Sequence, residues 1–347
     1  MKLSIIIPVY NMVTGGKLEY CLNSLLNQTV DDYEVVAVDD ASTDNSWEVL
    51  QRYKLQFPDK LVIHALPENV RQGGAKNKGL ALSRGEYIGF VDSDDWVTPD
   101  CYEKLLKRAE ETGADVVGCD FAYVYEHTME PAKWVPCNLP EQVGKLEHDK
   151  MASLLLNPGG LVSKIYKREL FFSVPFAFPE RMFYEDNATG IELLRRAKHF
   201  EYVQEPMYFY YQHDASTVHE INMNKLNDRL EAMRIMYRYA KEGGYLEEFY
   251  PELEYKFANL YYQNTLFSHM QSSKRTNFKF VHNMGKEMKK YFPGFQQNIY
   301  YVREVHPEDK KLMKLQQRST LLFVMYYRAL NLYRRWRKNS KVAGKEV

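Results

Sequence analysis

The hydrophobic pattern of the first 120 residues alternates between short apolar runs and helical spacings. Leu3–Val9 is nearly all apolar, which is typical of a strand buried on both faces. In the next segment apolar residues recur every three or four positions, as on one face of a helix: Leu18, Cys21, Leu22, Leu25 and Leu26. The alternation then repeats, and it predicts further strands at 33–38, 61–64, 87–91 and 116–119.

Repeated strand–helix units predict an α/β fold with a mostly parallel, doubly wound sheet and right-handed crossovers. Ligands of such sheets bind at the carboxyl ends of the strands. Polar clusters follow three of the predicted strands directly, at Tyr10-Asn11, Asp39-Asp40 and Asp92-Ser93-Asp94-Asp95. We therefore expect the three clusters to line one crevice.

The pattern changes beyond residue 120. Residues 121–220 are less regular, and Pro131–Gly160 is typical of loops. After residue 220 one apolar stripe at helical spacing predicts a helix: Leu226, Leu230, Met233, Tyr237 and Ala240. The sequence thus predicts an α/β domain over 1–220, divided into 1–120 and 121–220, and a helical region over 221–347.

The composition is that of a globular protein, with 45% of the 347 residues hydrophobic and 27% charged. Lys plus Arg and Asp plus Glu are each 46, and this balance argues against a nucleic-acid partner. No apolar run approaches the roughly 18 residues of a spanning helix, and Pro8 interrupts the first run, which is too short for a secretory signal. The four cysteines form no C-x-x-C pair, so we expect reduced thiols in a cytoplasmic protein.

Basic residues are concentrated at the C-terminal end, where residues 310–347 hold eleven Lys and Arg and one acid, a net charge of +10. One helical stripe there is apolar: Leu322, Tyr326, Ala329, Tyr333 and Trp336. A second stripe, about 120° away, is polar: Arg328, Asn331, Arg335 and Lys338. Two interpretations stay open. The helix lies on an anionic membrane surface, or it packs on the protein and presents a solvated basic face.

Asp92-Ser93-Asp94-Asp95 places three carboxylates within four residues at the end of a buried strand. Such carboxylates repel one another unless a cation or hydrogen-bond donors neutralise them. Mg²⁺ and Mn²⁺ take oxygen ligands and often bridge to a phosphate. A turn and helix cap before Pro99 is the alternative, but the position at a strand end favours metal and diphosphate binding.

Other candidate residues are weaker signals. Asp39 or Asp40 could accept a hydrogen bond from a nucleobase or a ribose, with Tyr10 stacked on the base. An Asx turn and helix cap is the alternative, and the two are compatible if Asp44 is the cap. The basic, glycine-rich segment 71–79 leads into a predicted helix at 74–83, whose start suits an anion. Glu185-Asp186 opens another predicted helix, where the dipole alone favours acids. His213 and His219, which flank 214–217, are expected to be structural.

The order and spacing of the segments between residues 3 and 95 resemble the family-2 inverting glycosyltransferases of the GT-A fold. The matching segments are Ser4–Asn11, Leu22–Thr29, Glu34–Asp44, Gly74–Gly79 and Gly85–Asp95, with looser matches at Glu185-Asp186 and Tyr208–Ser216. Two departures stand out. Gly15-Gly16 lengthens the loop after the first strand, and Lys76 stands where the family usually has Arg.

The resemblance implies a nucleotide-sugar donor, by default a UDP-sugar, with Mn²⁺ or Mg²⁺ as cofactor. It implies a glycan or lipid-linked acceptor in bacterial cell-surface polysaccharide synthesis, at the inner face of the plasma membrane. It assigns donor binding to residues 1–120 and acceptor binding to residues 121–220. Donor contacts map to Pro8, Tyr10, Asn11, Asp39, Asp40, Arg71, Lys76, Asn77, Asp92 and Ser93. The metal maps to Asp94 and Asp92, and the catalytic base to Asp186 beside Glu185.

These roles form one mechanism. A cation and basic groups stabilise the departing diphosphate, a carboxylate takes the acceptor proton, and a single displacement inverts the anomeric carbon. A sugar-phosphate nucleotidylyltransferase is one alternative, but it would carry a G-x-G-T-R-like loop where this chain has Pro8–Asn11. A non-catalytic nucleotide-sugar-binding protein is the other, but it is expected to lack the carboxylates that this chain keeps.

Overall fold

The computed structural model describes residues 1–213, 221–273 and 275–343. Its strands are β1 (Leu3–Val9), β2 (Tyr33–Asp39), β3 (Leu61–Ala65), β4 (Tyr87–Phe90), β5 (Trp96–Val97), β6 (Val116–Val124), β7 (Lys133–Val135), β8 (Gly144–Lys145), β9 (Lys164–Lys167) and β10 (His199–Tyr211).

The helices of the first two hundred residues are α1 (Lys17–Leu26), α2 (Ser46–Gln56), α3 (Arg71–Leu82), α4 (Cys101–Thr112), α5 (His148–Leu156), α6 (Glu169–Phe172) and α7 (Glu185–Arg195). Those that follow are α8 (Met223–Glu242), α9 (Tyr250–Phe257), α10 (Thr265–Ser272), α11 (Phe278–Tyr291), α12 (Ile299–Glu304), α13 (Pro307–Arg318) and α14 (Thr320–Ala343). A π-helical segment, Ala258–Asn264, joins α9 to α10.

The strands form one sheet in the order β3-β2-β1-β4-β9-β6-β10-β5, with β7 also paired to β6 and β8 to β10. The first four strands are parallel, and so are β6 and β10. β9 lies antiparallel between β4 and β6, and β5, β7 and β8 are also antiparallel to their partners. The α/β, GT-A-like fold class is confirmed, and the sheet is more mixed than expected because residues after 120 add reversed strands.

Most predicted elements match their observed bounds within a few residues. β1 spans the predicted 3–9, whereas β6 continues to Val124, five residues past its predicted end. The prediction that Pro131–Gly160 is all loop is wrong, because this stretch contains β7, β8 and α5. α5 is only nine residues long, so its apolar positions complete too few turns to show a clear helical period.

The core fixes the carboxyl edge of the sheet. β1 and β2 are buried along their whole length. On one face of β4, the Phe90 ring contacts the rings of Tyr166, Phe171 and Phe178, with centroids 5.7–6.4 Å apart. Gly79 brings α3 against β1, because a Cβ there would lie 2.4 Å from the Ile6 Cγ2. The start of α3 is thereby held beside the ends of β1 and β4.

Internal contacts divide the chain into two compact units. One comprises Met1–His219 with Arg234–Glu242, and the other Glu220–Met233 with Gly243–Val347. The sheet and every predicted site residue belong to the first unit. α8 contributes to both units, so the boundary does not coincide with a helix end. The assignment of functions to 1–120, 121–220 and 221–347 stays a prediction.

In the second unit, α14 buries Phe323, Val324 and Tyr327 and exposes the opposite face. That exposed face carries Leu322, Tyr326, Tyr333 and Trp336, each more than half exposed. Within the described ranges, none of the helices combines the length and the apolar composition needed to cross a bilayer.

Candidate active site

The acidic loop after β4 is anchored by its last carboxylate. Asp95 is fully buried, and its Oδ2 accepts a 2.6 Å hydrogen bond from the Tyr208 hydroxyl. Its Oδ1 accepts from the Tyr211 amide at 2.9 Å. Burial, with the charges of Asp94 and Asp92, raises the pKa of Asp95 well above its ordinary value. Asp95 therefore fixes the loop to β10, and Asp92 and Asp94 remain only partly buried.

The Asp94 carboxylate contacts His213, a residue for which the sequence alone predicts a structural role. The His213 Nε2 lies 3.0 Å from the Asp94 Oδ2, and both side chains keep some solvent access, 13% and 19%. His213 lies two residues past the end of β10, and Asp94 lies four residues past the end of β4, so a position just past a strand end is the signal that points to His213. His219 and residues 214–217 lie outside the described residues.

The Asp94–His213 pair has donor atoms that suit a divalent cation shared with a substrate. In the described parts of the chain, no group of three or more His, Cys, Asp or Glu side chains is spaced to hold a metal. Mg²⁺ in phosphate-handling enzymes is usually held by one or two carboxylates, and substrate phosphates and water complete its shell. Asp94 and Asp92, both partly accessible on one loop, fit that arrangement, and His213 adds a nitrogen donor beside Asp94.

Asp92 lies among charged groups that are distant in the sequence. Burial raises the pKa of Asp92 to about 7, and the charges of Asp94, Glu185 and Asp186 act in the same direction. The Lys76 ammonium opposes them. The Gln72 amide lies at 3.4 Å from the Asp92 Oδ1, a contact that the sequence analysis missed. Ser93, the next residue, is buried.

Lys76 and Glu185 form a buried ion pair between α3 and α7. The Lys76 Nζ lies 2.6 Å from the Glu185 Oε1, and the side chains are 3% and 5% exposed. Burial disfavours the charge of Lys76, but Glu185, Asp92 and Asp186 together raise its pKa, so it stays a cation. Both residues were predicted to contact substrate, and each has its nearest charged partner in the other.

Asp186 is the accessible member of its acidic pair. It sits in the first turn of α7, directly after Tyr184 and Glu185, and Tyr184 has a left-handed φ of 64°. Solvent reaches the Asp186 carboxylate, yet the surrounding protein strips part of its hydration. This desolvation, together with the Glu185 charge, raises the pKa of Asp186. The Asn187 amide groups donate to the Asp186 Oδ1 at 2.7 and 3.0 Å.

The start of α3 fixes the segment that leads to Asp186. The Asn77 side chain bonds both backbone groups of Phe178, at 2.8 and 2.9 Å. A Cβ on Gly73 would lie 2.1 Å from the Pro179 carbonyl oxygen, so only glycine permits this approach. The Arg71 guanidinium stacks 4.0 Å from the Phe183 ring centroid. Asn77 and Arg71, predicted as donor contacts, hold this segment, and a donor contact stays a prediction for both.

The two aspartates after β2 differ in their partners, although each is 3% exposed. The Asp40 Oδ1 accepts from the Val70 amide at 2.7 Å and so holds the start of α3. Burial raises the pKa of Asp40. The Asp39 Oδ2 accepts from the Ser42 amide at 3.2 Å, but the Asp39 Oδ1 is buried without a hydrogen-bond partner among the described residues. Asp39 therefore keeps an unused acceptor beside the crevice.

The residues after β1 join two loops. Pro8 is buried within the strand, and Tyr10 is 42% exposed. Asn11 takes a left-handed φ of 56°, and its Oδ1 accepts from the Thr43 and Asp44 amides at 2.8 and 3.3 Å. Asn11 thus holds the β1 loop against the β2 loop, and the Tyr10 ring stays open to solvent.

The chain is similar to known glycosyltransferases. Residues 4–150 match the family model described as glycosyl transferase family 2. The uncharacterized glycosyltransferase EpsJ of Bacillus subtilis (strain 168) is 32% identical over 60% of each chain, so the match spans about three fifths of that relative. The putative glycosyltransferase EpsH of the same organism is 31% identical over 258 residues, 72% of each chain.

Solved structures agree in fold. The crystal structure of S. aureus TarS 1-349 in complex with UDP-GlcNAc is similar with a TM-score of 0.70 and 19% identity, over 92% of each chain. At this identity the likeness shows the fold alone. The family model and the extent of the EpsH match together show that the chain belongs to glycosyltransferase family 2.

Proposed function

We propose that this glycosyltransferase moves a sugar from a nucleotide-sugar, by preference a UDP-sugar, to a hydroxyl of a glycan or lipid-linked acceptor in bacterial cell-surface polysaccharide synthesis. The observation that carries the proposal is that α3 contacts both acidic segments. The Gln72 amide lies 3.4 Å from the Asp92 Oδ1, and the Lys76 Nζ lies 2.6 Å from the Glu185 Oε1, next to Asp186. These contacts support a donor-side loop and a candidate base that act on one substrate, as direct displacement at a sugar carbon requires.

The nucleobase of the nucleotide-sugar donor binds beside the ends of β1 and β2. The unpartnered Asp39 Oδ1 can accept the ring N–H of uracil, and its burial makes an unmade bond there costly. The exposed Tyr10 ring can stack on the same base. The UDP-GlcNAc complex of TarS, a protein of similar fold, supports uridine as the first nucleotide to test.

The diphosphate belongs at the loop after β4. Asp94 and His213 would hold Mn²⁺ or Mg²⁺, with Asp92 contributing to the same site. When bound, such a cation stabilises negative charge on the departing diphosphate. Asp92 and Asp94 cannot approach a diphosphate uncompensated, because like charges repel. Asp95 and its bonds to β10 hold both carboxylates in place.

We assign the general base to Asp186. Its exposure admits an acceptor hydroxyl, and its raised pKa makes it a better proton acceptor than a freely solvated aspartate. Glu185 is oriented away from this task by its bond to Lys76 and holds the start of α7. A single carboxylate on the acceptor side matches one displacement, which inverts the anomeric carbon.

We further propose that the protein acts in the cytoplasm, peripherally bound to the inner face of the plasma membrane. α14 packs through one face and leaves an apolar, aromatic stripe in solvent, and this exposed stripe supports the membrane interpretation. Arg328 donates to the Ser273 carbonyl and the Thr276 hydroxyl, so this member of the basic stripe is used internally. The side chains of Arg335 and Lys338 lie outside the described residues.

Calorimetry of UDP with Mn²⁺ and with EDTA tests the donor site. We expect metal-dependent binding, weakened about tenfold or more by Asp94→Ala, which corresponds to about 1.4 kcal/mol. Asp39→Asn should weaken binding with and without the metal. Asp100→Ala, a partly exposed acid that pairs with Lys104, is the matched control. If UDP, GDP and dTDP all fail to bind, the proposal is rejected; binding without sugar transfer to any acceptor would favour a binding protein.

Sedimentation with vesicles tests the membrane proposal. We expect binding to phosphatidylglycerol-containing vesicles, weaker with phosphatidylcholine alone and weaker in high salt. The double variant Tyr326→Ser/Trp336→Ser should lose binding. Leu55→Ser, at an 83% exposed leucine on α2, is the control. Equal sedimentation of the double variant and the wild type would contradict the proposal.

A further inference from the structure

Trp134 on β7 is an exposed indole that a buried carboxylate holds in one orientation. The side chain is 49% exposed, and its Nε1 donates a 2.7 Å hydrogen bond to the Asp120 Oδ2. Asp120 is fully buried and also accepts from the Cys137 amide at 2.8 Å and from the Tyr202 hydroxyl. The ring cannot rotate without breaking a bond to a charged group, which is among the stronger kinds of hydrogen bond.

The register of the sheet places Trp134 on the face against which α3 packs, since Gly79 of α3 contacts Ile6 and Ile6 pairs with Phe90. Trp134 pairs with Ala122, and Cys119 and Phe121 of the same strand point to the opposite face, into the core around β1. On β4, Tyr87 and Val91 also point into that core. Because successive side chains alternate, Trp134 shares its face with Phe90.

The register also gives the position of Trp134 along the strands. Gly89, Ile165 and Val117 are aligned across β4, β9 and β6, so Phe90, the last residue of β4, is level with Gly118. β7 occupies the place of β9 beyond this level, and Trp134 pairs with Ala122. By strand spacings, Trp134 lies about 5 Å to the side of the line of β4 and roughly 13 Å beyond Phe90, past the strand end from which the loop with Asp92 starts.

A ligand that stacks on Trp134 is distinct from the nucleobase of the nucleotide-sugar donor. The unpartnered acceptor of Asp39 is at the end of β2, and β1 and β4 lie between β2 and the position that β7 occupies. Three strand spacings amount to about 14 Å. The indole therefore lies on the side of β4 that is away from Asp39.

We propose that Trp134 is a stacking platform for a pyranose ring of the acceptor glycan, which gives the acceptor its own subsite. This inference rests on the proposed function. The C–H face of a pyranose is apolar and can cover the indole face, as aromatic rings line many ligand sites. The Asp120 bond fixes the ring before the ligand arrives, and so lowers the entropy lost on binding.

Fluorine NMR of protein labelled with 5-fluorotryptophan tests the subsite directly. The chain has four tryptophans, and Trp134→Phe identifies the resonance of Trp134. We expect a saturable shift of that resonance with at least one of the methyl β-glycosides of glucose, galactose and N-acetylglucosamine, in the presence of UDP and Mn²⁺. The resonance of Trp47, partly buried on α2, should not move. No shift at Trp134 in a protein that binds UDP would overturn the subsite and leave the proposed function standing.

Kinetics with the glycoside that binds separate a subsite from a structural role. Trp134→Leu should raise the acceptor KM about tenfold, the change that about 1.4 kcal/mol produces, and leave the UDP affinity within about twofold. Trp134→Tyr, which keeps an aromatic face, should recover most of the loss. Phe278→Leu, at a comparably exposed aromatic residue on α11, is the control. An unchanged acceptor KM in Trp134→Leu, or an equal loss of UDP affinity, would overturn the proposal.

Discussion

The two halves of the sheet place their candidate site carboxylates in different ways. In the half built from β1–β4, Asp39 ends β2 and Asp92 follows β4, so the strand itself aims the side chain. In the half that contains β6–β10, Asp186 starts a helix after the left-handed Tyr184, and contacts from α3 fix the preceding segment. One half relies on local order and the other on contacts between segments about 100 residues apart.

The halves nevertheless share one arrangement. Each acidic pair divides into a carboxylate that holds a structural contact and a neighbour to which we assign a role in substrate, metal or proton binding. The held members are Asp40, Asp95 and Glu185, and their neighbours are Asp39, Asp94 and Asp186. Adjacent acids in this crevice are therefore not equivalent, and substitutions should separate positioning from chemistry within each pair.

The largest expected effect is in the acceptor half. Asp186→Asn removes the proposed base and should reduce sugar transfer about a thousandfold, within the usual range for general-base catalysis. UDP affinity should stay within about twofold, because the donor half is untouched. Sugar-transfer assays measure the activity, and calorimetry measures the UDP affinity. The control is Asp149→Asn, at an exposed side chain on α5. Retention of more than a tenth of the activity would remove Asp186 from the role of base.

The ion pair that joins the halves should dominate stability. Lys76→Met leaves the buried Glu185 without its partner, and loss of one member of a buried pair costs about 3–5 kcal/mol. The double variant Lys76→Met/Glu185→Leu should recover most of this loss, since neither charge remains. Thermal or urea unfolding measures both, with Lys78→Met on the same helix as control. A double variant no more stable than the single one would contradict the pairing.

The smallest effect concerns the pH dependence of transfer. The proposed base works only when ionised, so kcat/KM should fall as the pH drops through the raised pKa of Asp186. Glu185→Gln removes a charge that raises this pKa and frees Lys76 to lower it, so the acid limb should move to lower pH. Lys76→Met should move the limb to higher pH. Profiles that move together in the two variants would show that the pair acts on Asp186 only through structure.

The same contrast explains what the sequence could predict. The parallel strands and their polar ends follow from short apolar runs and the residues just after them, so β1–β4 and the acidic loop after β4 could be predicted. The antiparallel insertion of β9 depends on pairing between residues 87–89 and 165–167, which no local pattern shows. The Lys76–Glu185 pair spans 109 positions and was equally invisible.

Within the candidate site, residue type was easier to predict than partner. From the sequence, Asp39 and Asp40 are equally plausible ligands. The structure distinguishes them, because the Val70 amide donates a hydrogen bond to Asp40. A lone histidine such as His213 carries little information in a sequence, although this one lies just past a strand end. No local sequence pattern points to Trp134, because the hydrogen bond that fixes its indole ring is made to Asp120 on the neighbouring strand.

The anchoring of Asp95 has a consequence for local unfolding. Its two bonds join the loop after β4 to residues 113 and 116 positions later on β10, deep in the sheet. Regions that open separately from the rest of a protein have few such buried ties. The loop that carries Asp92 and Asp94 should therefore belong to the same cooperative unit as the central strands, and the amide hydrogens of Asp92 and Tyr211 should exchange with solvent only when those strands separate.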